Sequence, residues 1–476
     1  MQTLLWYALL LPLSASATDW QALLDQNDGA RVHFGVALGG ADSYERNSDE
    51  AFAPASNSKL FTAGALLEAL GADYRYPTKL RWTEPSPGTA AGLTIIGAGD
   101  PSWGLSELGE GLTDRLTTIA QRLKESGIHT VEGAPRAVAA DARWNKIEIP
   151  EGWKSDDTSS CMGALGQAFN LNVNCSTYKV NNARSGSWQG AGISFPVVLR
   201  LREGSSTSVS ARLASLEGSW AYLVEGSFRT GGAPVSLSLP VYDTKPWVAA
   251  LFQRALEAKG IRIQPAREAG GESKELVFHS APLSTLLKPF LKNSINVMGD
   301  SFLKTLGSRT EGGASLLQNG LAAMKSFLLR KGAAPGFVLN DGSGLSRTSR
   351  VTPASMFRVL QNMRGEKYFP ALWGALPIAG VDGTLSNRMK GTPAAGVLRA
   401  KTGTLNGVYN LAGYVPTGNG YLPFVILTRT SPELRGAARA AEDRVGARLA
   451  GIHGVPVAGS EEPFPYVPEH AGLDAQ

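Results

Sequence analysis

Hydrophobic positions along the chain change between strand-like and helix-like spacing, which predicts a mixed fold. Residues 31–38 alternate apolar and polar positions as a half-buried strand does, and 76–83 and 92–96 also favour strands. From Ser56 to Leu70, helix formers follow an initial serine and end before Gly71. Serine at the start and glycine at the end are typical helix boundaries.

The pattern changes character between about residues 75 and 282. A helical stretch at 105–126 is followed by short β-like runs separated by Gly and Ser, at 193–202, 208–214, 219–224 and 235–242, with a helix at 246–259. Helical patterns return at 283–291, 294–307 and 314–331. Strands are then expected at 397–402, 408–415 and 423–429, and a last helix at 433–450, before a Pro-rich tail at 455–476 that we expect to be poorly ordered.

The N-terminus has the features of an export signal. Residues 1–18 carry no charged side chain, and the apolar run 4–13 leads into Ser14-Ala15-Ser16-Ala17. This pattern predicts a signal peptide, residues 1–17, and therefore a periplasmic protein. The run is too short for a transmembrane anchor. An apolar first helix of the fold is the alternative.

Composition excludes several classes of protein. The 476 residues include 46 Lys+Arg against 41 Asp+Glu, without the concentrated basic stripe of a nucleic-acid binder. None of the five histidines lies in a zinc-hydrolase pattern, so we expect neither a metal nor a cofactor. The two cysteines, Cys161 and Cys175, could form a disulfide in an oxidising compartment or remain free thiols.

Candidate chemistry begins at Ser56-Asn57-Ser58-Lys59, an S-x-x-K motif. On a helix, residues i and i+3 share a face, so Lys59 could take the proton of Ser56. Burial and a second nearby cation would favour the neutral amine that this requires. Two further matches exist, Ser176–Lys179 and Ser301–Lys304, but neither serine is expected to begin a helix.

Two more motifs strengthen this interpretation. Ser294-Ile295-Asn296 is an S-x-N motif, although its serine could simply cap the following helix. Lys401-Thr402-Gly403-Thr404 lies where one expected strand ends. An edge strand there could pair with an extended peptide, and Gly403 would allow close approach; a plain hairpin turn is the alternative.

In the order S-x-x-K, S-x-N, K-T-G, these motifs resemble those of penicillin-binding proteins and serine β-lactamases. The segments 54–59, 99–101 and 341–347, and the long gap between the first two motifs, resemble DacB/PBP4-type D-alanyl-D-alanine carboxypeptidases of peptidase family S13. The resemblance implies an α+β fold (an α/β sandwich). A transpeptidase-like domain would comprise 18–74 and 283–454, and 75–282 would be inserted as two smaller domains.

The resemblance also implies roles for the motif residues in cleaving peptidoglycan stem peptides. Ser56 would be the nucleophile, Lys59 the base, and Ser294 the relay of the proton to the leaving nitrogen. Asn296 would bind the acyl side of the substrate. The terminal carboxylate would be held by Lys401, Thr402 and Thr404, with Gly403 between them. Cross-linked peptides and β-lactams would react in the same way, giving endopeptidase activity and inhibition.

A substrate side-chain pocket is a further hypothesis. Trp153, Asp156, Asp157 and Arg347 combine an aromatic wall with acids and a base, which would suit the zwitterionic end of diaminopimelate. Surface ion pairs and a core tryptophan would explain the same residues.

Two other functions fit the same motifs. A serine β-lactamase needs fast deacylation, and the E-x-x-L-N element that often provides it is not found. A non-catalytic penicillin-binding sensor is the second alternative, which the intact motifs disfavour.

Overall fold

The computed structural model describes residues 19–456 except 268, 269 and 314, together with Phe464. The expected signal peptide and nearly all of the expected Pro-rich tail lie outside these residues. Within the described part of the chain, the helices are α1 (Trp20–Asp25), α2 (Ser58–Leu70), α3 (Asp114–Glu125), α4 (Ser155–Thr158), α5 (Lys245–Ala258), α6 (Leu283–Lys292), α7 (Asn296–Ser308), α8 (Leu316–Arg330), α9 (Pro353–Met363), α10 (Phe369–Ala375) and α11 (Arg435–His453).

The strands form two groups, and the boundaries between the groups lie close to residues 75 and 282, where the sequence pattern changes. Before and after the middle of the chain lie β1 (His33–Leu38), β2 (Tyr44–Arg46), β17 (Arg399–Leu405), β18 (Val408–Thr417) and β19 (Gly420–Arg429). Between them lie β3 (Pro77–Ser86), β4 (Thr89–Gly97), β5 (Asp100–Trp103), β6 (Thr130–Glu132), β7 (Arg136–Ala139), β8 (Phe169–Leu171), β9 (Cys175–Asn182), β10 (Ser185–Trp188), β11 (Val197–Gly204), β12 (Ser208–Leu216), β13 (Ser219–Arg229), β14 (Val235–Pro240), β15 (Arg262–Gln264) and β16 (Glu272–His279).

A five-stranded antiparallel sheet of order β17-β18-β19-β1-β2 forms the centre of the fold. Alternate residues of β18 point to opposite faces, and both faces are buried: Leu411 packs with α1 and α11, whereas Ala412 packs with α2 and α6–α10. Helices therefore cover the sheet on both sides, which confirms the predicted α+β fold.

Residues 77–279 form separate sheets with hydrophobic clusters of their own. A six-stranded sheet built around β3 and β4 packs on α3 and α5. A second cluster lies between the sheets β10-β9-β14 and β11-β13-β12. The division of this segment into two domains stays a prediction.

The structure differs from the sequence pattern at several boundaries. The helix expected over 105–126 begins only at Asp114, because Gly109 adopts a left-handed conformation and ends a short 3₁₀ turn. Helix α7 begins at Asn296, two residues later than expected, because Ser294 has a φ of +66°. Ser294 is therefore not the cap of this helix. Helices α9 and α10 were not predicted.

Helix α11 is joined to the loop that carries Arg388 by a cluster of charges, of which only Glu442 is fully buried. Arg388 donates to Glu442 Oε2 at 2.8 Å and to Asp443 Oδ1 at 2.6 Å. Glu442 is fully buried, and desolvation raises its pKa to about 7 although Arg388 opposes the shift.

We expect Glu442→Gln to remove a pH-dependent loss of stability. Between pH 4.5 and 7 the unfolded chain releases the Glu442 proton while the folded chain keeps it, so the folded state becomes less favourable as pH rises. The shift corresponds to about 3 kcal/mol in the free energy of unfolding. The free energy of unfolding can be measured with urea at pH 4.5 and pH 8. The difference between the two values should be about 3 kcal/mol smaller in the variant than in the wild type.

The control is Glu257→Gln, at an exposed position on α5. It should keep the wild-type pH dependence. An unchanged pH dependence in Glu442→Gln would show that Glu442 is not the group responsible.

Candidate active site

Ser56 lies on a 3₁₀ turn, Ala55–Asn57, that leads directly into α2. The turn is unusual because Ala55 has a φ of +47°, which L-residues rarely adopt. One helical turn later, Lys59 Nζ lies 3.2 Å from Ser56 Oγ. The S-x-x-K residues therefore do share a face, as their spacing predicts.

Lys59 is fully buried and is held by residues far away in the chain. Its Nζ donates to Asn296 Oδ1 at 2.7 Å and to the carbonyl oxygen of Ser343 at 2.7 Å. The first of these bonds joins the S-x-x-K and S-x-N motifs. The Ser56 hydroxyl is the third group within hydrogen-bond distance of the amine, and it can pass its proton to Lys59 when the amine is neutral.

The loop 341–347 supports both Lys59 and the Ser56 turn. Asp341 is buried and accepts hydrogen bonds from the backbone N–H groups of Gly344 and Ser346. Gly344 has a φ of +82°, and a Cβ at this position would lie 1.8 Å from the carbonyl oxygen of Ala55. Only glycine permits this contact with the turn Ala55–Asn57, which we call the nucleophile turn because it carries the expected nucleophile Ser56.

The K-T-G-T residues lie on β17, at one edge of the central sheet, as an edge strand for peptide pairing would require. Lys401 is fully buried and donates to the carbonyl oxygen of Thr402. A Cβ at Gly403 would lie 2.9 Å from the Pro54 carbonyl oxygen and 3.1 Å from Asn57 Oδ1. The absence of a side chain at Gly403 thus lets β17 pack against the turn that carries Ser56, and the close approach of a substrate to Gly403 stays a prediction.

Asn410 is a residue that the motifs did not indicate. From the neighbouring strand, its Nδ2 donates to the carbonyl oxygens of Ala53 and Pro54, both at 2.9 Å. Its Oδ1 accepts from the Thr428 backbone N–H. Asn410 therefore fastens the nucleophile turn to the sheet. An isolated asparagine in a strand gives no sequence signal of this.

A second support is the buried ion pair of Lys292 and Asp382. The Lys292 Nζ and Asp382 Oδ2 atoms are 2.6 Å apart, and both side chains are 2% exposed. Lys292 is two residues before Ser294, and Asp382 is next to Gly383. Ser294 and Gly383 both line one cavity together with Ser56. The pair holds the S-x-N segment against the loop 378–388.

One cavity of about 480 Å³ is lined by residues from each of the three motifs, although Lys59, Lys401 and Gly403 are not among its lining residues. Its walls include Ser56, Ser294, Asn296, Thr402 and Thr404. Further wall residues are Met162, Asn293, Gly344, Leu345, Gly383, Thr384, Ser386, Asn387, Arg388, Leu405, Arg435 and Arg439. Within the described residues, no group of three His, Cys, Asp or Glu side chains is placed to hold a metal ion.

The inserted segment contributes to this cavity through Met162. The Met162 carbonyl oxygen accepts a hydrogen bond of 3.1 Å from Asn296 Nδ2. Residues Cys161 and Cys175 are joined by a disulfide beside it, with their Cα atoms 5.5 Å apart. The insertion thus forms part of the wall near Asn296.

The proposed side-chain pocket is not part of the cavity lining. Arg347 pairs with Asp157, with Nη2 and Oδ1 3.0 Å apart, and Trp153 Nε1 donates to Asp341 Oδ2 at 2.7 Å. Asp156 is exposed. These contacts attach the insertion to the loop 341–347, and a role in substrate binding stays a prediction.

Similarity to known proteins extends over most of the chain. Residues 13–449 match the model of the D-Ala-D-Ala carboxypeptidase 3 (S13) family. A D-alanyl-D-alanine carboxypeptidase of Actinomadura sp. strain R39 is 32% identical over 443 residues, 86% of this chain and 79% of that protein. The D-alanyl-D-alanine carboxypeptidase DacB of Haemophilus influenzae is 30% identical over 385 residues, 77% of this chain and 78% of the relative.

The fold is similar to that of a solved penicillin-binding protein. Penicillin binding protein 4 (dacB) from Haemophilus influenzae superposes with a TM-score of 0.69 and 25% sequence identity. The match covers 91% of this chain and 99% of that one.

We expect Gly344→Ala to disable the site, because its Cβ would displace the Ala55 carbonyl and with it Ser56. A shift of about 1 Å in a nucleophile costs roughly 100-fold in rate. The rate of acylation by a fluorescent penicillin should fall by about that factor.

Gly336→Ala is the matched control. Gly336 also has a positive φ, +102°, but no atom lies within 4 Å of its added Cβ. Both variants carry the strain of a positive φ, about 1 kcal/mol. Equal acylation rates in the two would contradict the proposed contact between Gly344 and the nucleophile turn.

Proposed function

This chain belongs to the D-Ala-D-Ala carboxypeptidase 3 (S13) family, and on that premise we propose that it cleaves peptidoglycan stem peptides through an acyl-enzyme on Ser56. The observation that carries the proposal is the buried amine of Lys59, 3.2 Å from Ser56 Oγ. A hydroxyl beside a desolvated amine is the arrangement of an activated nucleophile.

In the first step, Ser56 Oγ attacks the carbonyl carbon of the penultimate D-alanine while Lys59 Nζ takes the hydroxyl proton. The developing oxyanion is stabilised by the backbone N–H groups of Ser56 and Thr404. Donors of this kind contribute about 3 kcal/mol each to transition-state stabilisation.

The C–N bond then breaks, and the leaving nitrogen takes a proton from the Ser294 hydroxyl, which is replenished from Lys59. Thr402 and Thr404, with the charge of Lys401 behind them, hold the terminal carboxylate. Asn296 binds the acyl part of the substrate. Ser294 lines the same cavity as Ser56 and Thr402, which supports this assignment.

Water hydrolyses the ester, which releases the shortened peptide and restores Ser56. If the leaving amine belongs to a second stem peptide rather than to D-alanine, the same bonds form and break, and the enzyme acts as an endopeptidase. A β-lactam acylates Ser56 likewise, but its leaving group stays tethered.

A β-lactamase is disfavoured by the chemistry of the cavity. Among the described residues that line it, none is an Asp or a Glu. A carboxylate beside the acyl-enzyme is a common way to activate the deacylating water. We infer that the penicilloyl ester of this chain is long-lived.

The proposed compartment is the periplasm. The expected cleavage after Ala17 would release the chain there, where peptidoglycan is accessible and a Cys161–Cys175 disulfide is stable. Within the described residues, no helix has both the length and the apolar character needed to cross a membrane.

We expect Ser56→Ala to abolish both labelling by fluorescent penicillin and release of D-alanine from a pentapeptide, because the variant cannot form the ester. Denaturing electrophoresis and an assay of free D-alanine measure the two outcomes. Wild-type protein should keep its label for many minutes.

Ser176→Ala is the control, since Ser176 belongs to another S-x-x-K match and lies outside the catalytic cavity. It should label and release D-alanine as the wild type does. Rapid loss of label from the wild type, with turnover of the antibiotic, would instead support a β-lactamase.

A further inference from the structure

Three arginines also line the cavity that contains Ser56, Ser294 and Thr402. These are Arg388, on the loop after Gly383, and Arg435 and Arg439, on the first turns of α11. We refer to Arg388, Arg435 and Arg439 as the arginine wall. None of the roles proposed above for the motif residues uses it.

Arg388 is neutralised by its neighbours. It donates to Glu442 and Asp443, and its side chain is 13% exposed. The two acidic side chains of α11 nearest the wall are therefore already engaged. We therefore assign Arg388 a role in holding α11 in place rather than a role in binding substrate.

Arg435 and Arg439 are different, because neither makes a side-chain hydrogen bond or ion pair within the described part of the chain. Their position is also unfavourable for the helix. The first turn of α11 contains no acidic residue, and cations near a helix N-terminus are destabilising. Burial and the charges of Arg435 and Arg388 lower the pKa of Arg439. A local conflict of this kind is typical of a functional position.

The arginine wall shares its cavity with the residues that we assign to the leaving group. Ser294 and Thr402, which contact the leaving group in the proposed mechanism, line the same cavity. The Thr402 hydroxyl donates to the Thr384 hydroxyl at 2.9 Å, and Thr384 begins the short stretch that leads to Arg388. Asn296, which we assign to the acyl part of the substrate, is hydrogen-bonded to Met162 instead.

The two possible leaving groups differ in the number of carboxylates that they carry. Free D-alanine has one carboxylate, which the K-T-G-T residues already hold in the proposed mechanism. The second stem peptide of a cross-linked dimer has further carboxylates on its diaminopimelate and glutamate residues. A cavity of about 480 Å³ has room for more than a D-alanyl residue.

We propose that Arg435 and Arg439 bind additional carboxylates of an acidic leaving group and thereby favour cleavage of cross-linked stem peptides. The inference rests on the proposed function, since it assigns the leaving-group subsite of the same cavity. Guanidinium groups suit this task because they stay charged and bind carboxylates in a forked geometry.

The test compares three substrates: a monomeric pentapeptide, a cross-linked dimer, and the same dimer with the acceptor-stem carboxylates amidated except the one beside the scissile bond, which the K-T-G-T residues hold in the proposed mechanism. The enzymes are the wild type, the double variant Arg435→Gln/Arg439→Gln, and Arg200→Gln as a control at an exposed position on β11. For each we would measure kcat/KM, together with the rate of acylation by fluorescent penicillin as a check on the catalytic residues.

The double variant should lose about tenfold more kcat/KM on the dimer than on the pentapeptide, which is the size expected of two partly screened ion pairs. The wild type should discriminate against the amidated dimer by a similar factor, and added salt should reduce this discrimination. Arg200→Gln should behave as the wild type.

Equal losses on dimer and pentapeptide, or no loss on either, would overturn the inference. So would a wild type that releases D-alanine but leaves the dimer intact, in which case the carboxypeptidase proposal would stand. A wild type that neither labels with penicillin nor releases D-alanine would overturn both proposals.

Discussion

The site depends on the burial of one amine. Lys59 is removed from water, and a buried polar group is costly unless its hydrogen bonds are satisfied. Asn296, the Ser343 carbonyl and the Ser56 hydroxyl supply those bonds. Because each acceptor comes from a different segment, satisfying Lys59 also brings the nucleophile, the S-x-N motif and the loop 341–347 together.

The surrounding structure holds these three segments in place. Asp341 orders the loop 341–347, the ion pair of Lys292 and Asp382 anchors the S-x-N segment, and Asn410 fastens the nucleophile turn to the sheet. Ala55 and Ser294 keep backbone conformations that L-residues rarely adopt. Strain of this kind persists only where neighbouring contacts outweigh it, and it is common at active sites.

Much of the fold could be predicted because its signals are local. Alternating residues indicated β1, and a serine, helix formers and a glycine indicated the helix that follows Ser56. The motifs were visible because their chemistry needs particular residue types at short spacing. The helices α9 and α10 were missed, and α3 was placed too early because Gly109 was not recognised as a break.

The supports of the site could not be predicted because they are tertiary contacts. Nothing near Asn410 in the sequence indicates that it binds the carbonyls at 53 and 54, more than 350 positions away. The contact between Gly344 and Ala55 likewise exists only after the chain has folded. The arginine wall combines a loop with the first turns of α11, which no linear pattern joins.

The distance along the chain between Lys59 and its acceptors has a consequence for biosynthesis. Two of its three hydrogen-bond partners, Asn296 and Ser343, lie 237 and 284 positions later. Contacts of such long range form late, since a large loop must close before they can stabilise anything. A partly synthesised chain therefore has the serine and the lysine but not the environment that activates them. Reactivity arises only when the last third of the protein has docked, so that covalent capture by penicillin reports complete folding rather than the mere presence of the motif.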